Sequence, residues 1–326
     1  MPVSIFEAHN KLKLENSFRY CELKTQSKIP ANTNWQNEDK LFGEVVSLFE
    51  TQKSNIGLLL GNKSNIIDID CDCPEAVTIG GRLIEGHFAS FFRNSKSGHF
   101  LFRCEGGKTI RLNDNEGSVL VELRADGSQT MVPPSVHPEG QQLSFTHWNE
   151  NAREYRYDEV SELTHRIGAL SLCFRCWNKG MRHQLSLCLA GLFQTIGLSY
   201  NDAFGIIQLL CEITSDEEQQ RRLNNVKHTY QRPSHSNIGY EGIVQLKGKE
   251  FADKVSNWLK IGFGIDVGKP KVPSNDNALT RLETITHAEE VTEARLAELY
   301  SAQLQSKALY CFSNKHFCYT RIISHN

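Results

Sequence analysis

Three short segments of the chain each place polar residues two apart. They are Ile66-Ile67-Asp68-Ile69-Asp70, Ser95-Lys96-Ser97-Gly98-His99-Phe100-Leu101-Phe102 and Val119-Leu120-Val121-Glu122-Leu123-Arg124. In a β-strand, residues i and i+2 share a face. Asp68 and Asp70 therefore face one way, with Ile67 and Ile69 behind them. Ser95, Ser97 and His99 share a face, with Phe100 and Phe102 behind. Glu122 and Arg124 share a face, with Val121 and Leu123 behind. If the three strands lie in one sheet, they raise three carboxylates, a histidine and cations over an apolar floor.

The surrounding pattern predicts a mixed α/β unit over 1–165. A helix is expected from Leu41 to Thr51, a glycine-punctuated strand over Asn55–Gly61, and a helix over Pro74–Phe92 with Pro74 in its first turn and Gly80-Gly81 weakening it. A turn at Ala125-Asp126-Gly127-Ser128 leads to a strand at Thr130–Val132, which Pro133-Pro134 ends. Near residue 165 the period changes from 2 to 3.6. Leu185, Cys188, Leu189 and Leu192 fall at i, i+3, i+4 and i+7, and Gly197 ends that helix. Ser199 caps the next, with Ala203, Ile206, Ile207 and Leu210 as its apolar face. Ser215-Asp216-Glu217-Glu218 reads as a capping box opening a polar third helix to about Tyr230, and Phe251, Val255 and Trp258-Leu259 mark a fourth. The chain thus divides into 1–165, an all-α part at 166–262, and a linker with a short tail at 263–326. In that tail a helix over Glu289–Gln305 and a strand over Tyr310–Tyr319 are expected. The fold class is α+β followed by all-α.

Composition narrows the picture modestly. The 326 residues are 39% hydrophobic and 23% charged, with a net charge of −2. This is ordinary globular material, and it argues against a uniformly basic nucleic-acid coat while leaving room for a local basic channel. No apolar run approaches a membrane span, and the first residues lack the apolar core of a secretory signal, so a cytoplasmic protein away from membranes is expected. Ten cysteines in that setting read as reduced thiols. Cys71-x-Cys73 and Cys173-x-x-Cys176 find no partner motif to complete a four-ligand set, so buried free thiols are preferred to zinc.

The chemistry follows from the charged strands. A lone Asp-x-Asp is ordinarily a solvated strand end. Behind Ile66-Ile67, however, it reads as buried, where an unpaired carboxylate is costly and a cation is the simplest compensation. Asp68, Asp70 and Glu122 are hard oxygen donors suited to a pair of Mg²⁺ or Mn²⁺ ions, the equipment of phosphoryl or nucleotidyl transfer. Asp72 is in phase with them, but Cys73-Pro74 follows, which marks it as a loop residue. Ser95, Lys96, Ser97 and His99, with the small Gly98 between them, suit a phosphate or sugar contact. Arg221-Arg222, Lys227, His228 and Arg232 read equally as a solvated face or as a template-backbone contact.

These motifs, in this order, carry a resemblance. Asp68-Ile69-Asp70 at a strand end, Ser97-Gly98-His99, Glu122 within an apolar strand, and a glycine turn leading to Pro133-Pro134-Ser135-Val136-His137 resemble the bifunctional primase-polymerase branch of the archaeo-eukaryotic primase superfamily. Lys28-Ile29-Pro30 and Trp35 also fit, and the resemblance covers 25–160. It implies an RRM-like sheet fused to a second small α/β unit, and two-metal nucleotidyl transfer. Asp68, Asp70 and Glu122 would be the metal ligands, and His99 would lie on the incoming nucleotide. Ser95, Lys96, Ser97 and Arg124 would complete the triphosphate site. The sequence departs from the usual glycine-rich stretch at Lys96-Ser97-Gly98, which leaves open whether Ser95 or Ser97 makes the contact.

The helical part resembles the primase C-terminal helical domain of phage and plasmid replication proteins. That likeness rests on Gly180-Met181-Arg182-His183, Leu189-Ala190-Gly191-Leu192, Gly197-Leu198-Ser199, Asp216-Glu217, Arg222, Thr229-Tyr230 and Gly242. Thr292–Tyr300 faintly resembles the entry to a helicase region. No Walker motif is present, so a replicative helicase or ATPase is expected as a further region or a neighbouring chain. The implied partners are a single-stranded DNA template and NTP or dNTP. The alternatives are a repair or defence primase-polymerase, and a replication-initiator or helicase-loading module whose site has lapsed. Retention of the carboxylates on an apolar strand argues against the last.

Overall fold

The computed structural model describes residues 12, 17–94 and 97–265. Ser95, Lys96 and the expected tail elements lie outside the described residues. The described residues all belong to one compact unit.

Nine strands form two antiparallel sheets among the described residues. The smaller joins β1 (Tyr20–Leu23), β2 (Asn55–Leu59) and β8 (Gln129–Met131) in the order β1-β2-β8. The larger comprises β3 (Ile66–Cys71), β4 (Ala89–Asn94), β5 (Ser97–Arg103), β6 (Ile110–Asn113), β7 (Val119–Arg124) and β9 (Phe145–Trp148), ordered β6-β7-β3-β5-β4-β9. The three segments with polar residues two apart are thus its three adjacent central strands. Asp70 lies opposite His99 on one side and Glu122 on the other. Asp68 lies opposite Leu101 and Arg124, and Arg111 opposite Glu122.

Because side chains alternate, the large sheet divides two hydrophobic cores. On the carboxylate side, Leu101, Ala89, Phe91 and Phe145 pack with Tyr20, Ile56 and Leu58 of the small sheet and with Phe42 and Val45 of helix α1 (Phe42–Gln52). On the other side, Ile67, Ile69, Phe100, Phe102, Val121 and Leu123 pack against α2 (Pro74–Leu83) and α3 (Tyr157–Cys176). Five further helices continue this second core: α4 (Arg182–Ile196), α5 (Tyr200–Ile213), α6 (Gln219–Tyr230), α7 (Tyr240–Lys247) and α8 (Lys249–Gly262). The α+β class with helices following the sheets is as expected. No described helix is long and apolar enough to cross a membrane.

Several boundaries differ from expectation. The helix beginning at Pro74 stops at Leu83, and Ala89–Asn94 is strand β4 rather than its continuation. The residues before β4 supply the turn: Gly86 has φ +65°, where L side chains are strained. The residue 165 where the pattern changes lies inside α3, a helix that the periodicity did not reveal. The Ser215 capping box is not formed. Ser215 has φ +48°, and Asp216 instead accepts the Glu218 N–H at 3.0 Å while pairing with Arg222 at 3.3 Å. Arg222 is therefore buried, and its neighbour Arg221 pairs with Glu218. Gly197 (φ +92°) and the Ser199 cap, whose hydroxyl accepts the Asp202 N–H, are as expected.

Candidate active site

β3 is hydrogen-bonded on both sides, so every residue along it is buried, including both aspartates. Asp68 is fully buried and its Oδ2 lies 2.9 Å from His99 Nδ1. Asp70 Oδ2 is 2.6 Å from Arg124 Nη2, and its Oδ1 is 3.5 Å from His99. These two contacts are ion pairs without hydrogen-bond alignment. Both Asp70 oxygens, like Asp68 Oδ1, are buried acceptors with no hydrogen bond. Glu122 accepts from Arg111 through Oε1 at 2.8 Å and from Arg124 Nε through Oε2 at 2.9 Å. Buried acceptors without donors are costly, and they favour a cation in their midst.

Among the described residues, Asp70, Asp72 and Glu122 form the group whose ligand atoms come within 4.8 Å of one another. Of the three ligands expected, Asp70 and Glu122 are thus brought together. Asp68 sits beside them, bonded to His99. Asp72 had been read as a loop residue. It does follow the last residue of β3, but its N–H still bonds to Leu120 O at 2.9 Å, which keeps the strand's phase for one more step. Its i+2 relation to Asp70 was the available signal. Asp72 is exposed, yet partial desolvation and the charge of Asp70 push its carboxyl up to about 6, against the pull of Arg124, His99 and Lys28. A carboxylate under such repulsion gains from a bound cation.

His99 stacks on Phe91, with centroids 4.5 Å apart and planes 18° from parallel. Burial works against its protonation, but Asp70 and Asp68 outweigh it and raise its pKa above the usual value. The same carboxylates raise that of Arg124 against the effect of burial. Ser97 is buried on the same face and lines a cavity beside the carboxylates with His99 and Arg124. Gly98 points to the opposite face, where a Cβ would lie 2.4 Å from the Phe92 ring. Its smallness therefore leaves room for the Phe92 ring. Ser95 and Lys96 lie outside the described residues.

The cavity also contains Lys28, Arg93, Gln129 and His137, whose roles the charged strands alone did not reveal. His137 is placed by a braced loop. The Pro133–Pro134 peptide is cis, and buried Ser135 accepts the Ile56 N–H at 2.8 Å. Asn55 bonds both polar groups of the Val136 backbone, accepting from its N–H at 2.9 Å and donating to its O at 2.7 Å. Ser135 is thus a structural residue. His137 Nδ1 lies 3.2 Å from the Glu139 N and its Nε2 lies 3.1 Å from Arg93 Nη1, so both ring nitrogens face donors and the neutral ring can accept from one of them. Burial and the charges of Lys28 and Arg93 hold His137 below its usual pKa. An acceptor oxygen in the cavity could take a hydrogen bond from the Arg93 guanidinium.

Comparison with known families agrees with this arrangement. Residues 11–163 match the model of the bifunctional DNA primase/polymerase N-terminal domain. A search of curated proteins found no match. The match spans both sheets and every residue of the carboxylate cluster and its cavity. The chain therefore carries, over residues 11–163, a domain of the bifunctional DNA primase/polymerase family.

Proposed function

We propose that this chain is a template-directed DNA primase/polymerase that joins nucleotides at the Asp70–Asp72–Glu122 cluster. The observation that carries the reading is the juxtaposition of that cluster, with its unsatisfied buried oxygens, and a cavity walled by Ser97, His99, Arg93, His137 and Arg124. One face would hold cations and the other a polyphosphate. The all-oxygen donor set fits Mg²⁺ or Mn²⁺. Asp70 and Glu122, with Asp68 and Asp72 on either side along the strand, would hold two such ions, which supply activation of a primer hydroxyl and stabilisation of the leaving pyrophosphate.

The chain's own residues do the rest. Arg124 lies between carboxylates and cavity, so it can bridge to the nucleotide's phosphates. Arg93 and His137 line the same cavity within hydrogen-bond distance of each other, and a phosphate there could accept from the guanidinium. Ser97 and a protonated His99 would hold the inner phosphates, with Asp68 fixing the imidazole through Nδ1 and Phe91 fixing its plane. Single-stranded DNA is the proposed template and a nucleoside triphosphate the proposed substrate. The likeness of the helical part to primase C-terminal domains supports a place in phage, prophage or plasmid replication beside a helicase.

The test supplies single-stranded template, labelled nucleotides and Mg²⁺ or Mn²⁺ without a primer, and looks for short products. The wild-type chain should make them. Asp70→Asn should abolish them with the fold intact, since removing one of several crowded like charges does not destabilise the site. An Asp70→Asn protein working at the wild-type rate would overturn the reading.

A further inference from the structure

Arg175, at the last turn of α3 in the helical half of the chain, does not touch the cavity or the carboxylate cluster, yet it ties together the two chain corners that carry Asp72 and Glu122. Its Nε and Nη2 donate to the two oxygens of Glu75, at 3.0 and 3.3 Å. Its Nη1 donates to Asp114 Oδ2 at 2.8 Å. Glu75 stands in the first turn of α2, three residues after Asp72. Asp114 begins the turn between β6 and β7, and β7 carries Glu122.

Asp114 is itself the organiser of that turn. It is buried, and its Oδ1 accepts the N–H groups of Glu116 and Ser118, each at 2.9 Å. From α8, Lys254 donates to the Asp114 backbone carbonyl at 2.7 Å. Two helices of the bundle thus grip one turn of the catalytic sheet. Beyond the last rung of the β3–β7 ladder, where Cys71 lies opposite Val121, the Asp72 N–H bonds to Leu120 O at 2.9 Å and Cys73 Sγ makes a weak contact with the same oxygen at 3.8 Å. Four carboxylates crowd this end of the sheet, and repulsion acts to splay Asp72 from Glu122. A planar guanidinium that is bidentate to Glu75 and also bonded to Asp114 opposes that splaying as a fixed fork. Burial alone would raise the Glu75 and Asp114 carboxyls, but the bonds from Arg175 hold both below the usual range, so the link stays charged at neutral pH.

We infer that Arg175 is a positioning residue for the metal set, through which the helical bundle fixes the separation of Asp72 and Glu122. The inference rests on the metal reading above.

The test measures Mn²⁺ affinity of the full chain by electron paramagnetic resonance, alongside the melting temperature without metal. Arg175→Met should weaken Mn²⁺ binding about tenfold, the range seen when residues behind metal ligands are lost. Arg175→Lys keeps the charge but not the fork, and should recover part of that loss. A folded Arg175→Met protein with wild-type Mn²⁺ affinity overturns the inference, even if its melting temperature falls. Should Arg175→Met fail to fold, Lys254→Met removes the hold on the Asp114 carbonyl together with an i,i+4 pair to the exposed Glu250. Weaker Mn²⁺ binding by that variant supports the inference, and unchanged binding overturns it. Asp70→Asn separates the two layers of the argument. If wild type and Asp70→Asn bind Mn²⁺ equally poorly, the metal reading itself fails. If Asp70→Asn loses the site while Arg175→Met keeps it, only the role of Arg175 fails.

Discussion

Ser97 and Gly98 are neighbours in the chain but serve opposite faces of the large sheet. Ser97 lines the cavity with His99, whereas Gly98 makes room for Phe92 on the far side. Gly98→Ala should therefore act on stability and not on chemistry. Its Cβ would meet the Phe92 ring at 2.4 Å, and the forced repacking should cost about 1–3 kcal/mol in urea unfolding. The KM for nucleotide, per folded molecule, should stay near the wild-type value. A large rise in KM without loss of stability would mean that the glycine serves the ligand after all. At this scale the sequence was legible wherever a period of two applied: Asp68, Asp70, His99, Glu122 and Arg124 all share the predicted face. Asp72 escaped because the proline that follows suggested a loop, while the backbone holds one more ladder bond. Arg93 escaped because the cavity draws it from β4, where no local pattern marks it, whereas His137 was marked by the Pro133–His137 motif but given no role, because its place beside Arg93 depends on a loop well separated in sequence.

Among the elements, β3, β5 and β7 announced themselves by polar residues two apart, whereas α3 did not. Its buried residues include Val160, Thr164, Ile167, Gly168, Ala169, Leu170, Ser171 and Cys173, more than one face of a helix. Packed between the sheet and the bundle, α3 has no broad solvent side to give a 3.6 period. The connection from α2 to β4 was read as helix, and it carries a titrating group. His87 lies against Phe100, Phe102 and His147, and neither of its ring nitrogens has a hydrogen-bond partner. Burial first, then the charge of His147, lowers its pKa from 6.5 to about 4. Across that window the unfolded chain binds more protons at this residue than the folded one, so stability falls as pH drops from 6.5 towards 4. His87→Leu removes the difference. Its melting temperature should decline less steeply than wild type over that range, and identical slopes would show that His87 does not contribute.

For the whole molecule, the relation of the sheet to the bundle decides which fragments can exist. The change of pattern near 165 invites a cut near Glu162, on the expectation that the piece before it still extends a primer. Such a cut removes Ile167, Leu170 and Leu172 from the core they share with Ile67, Ile69, Phe102 and Leu123 of the sheet. At about 1.5–3 kcal/mol for each large apolar side chain, this loss rivals the roughly 5–15 kcal/mol of a whole domain. Residues 1–162 should therefore lack a cooperative urea transition, while 1–265 should unfold in one cooperative step. A sharp transition in the shorter piece would show that the sheet stands without α3. The two-core layout was hidden in the sequence because tertiary partners, not local periods, decide which apolar face meets which. That layout also bears on motion. β3 is hydrogen-bonded on both sides, covered by an apolar core on each face, and carries Asp68 and Asp70. Its amides belong among the last to exchange with deuterated solvent, since they open only with the whole unit. Asp68 and Asp70 thus ride on a slow-opening strand, and any give that a ligand requires falls to the loops and basic side chains around the cavity.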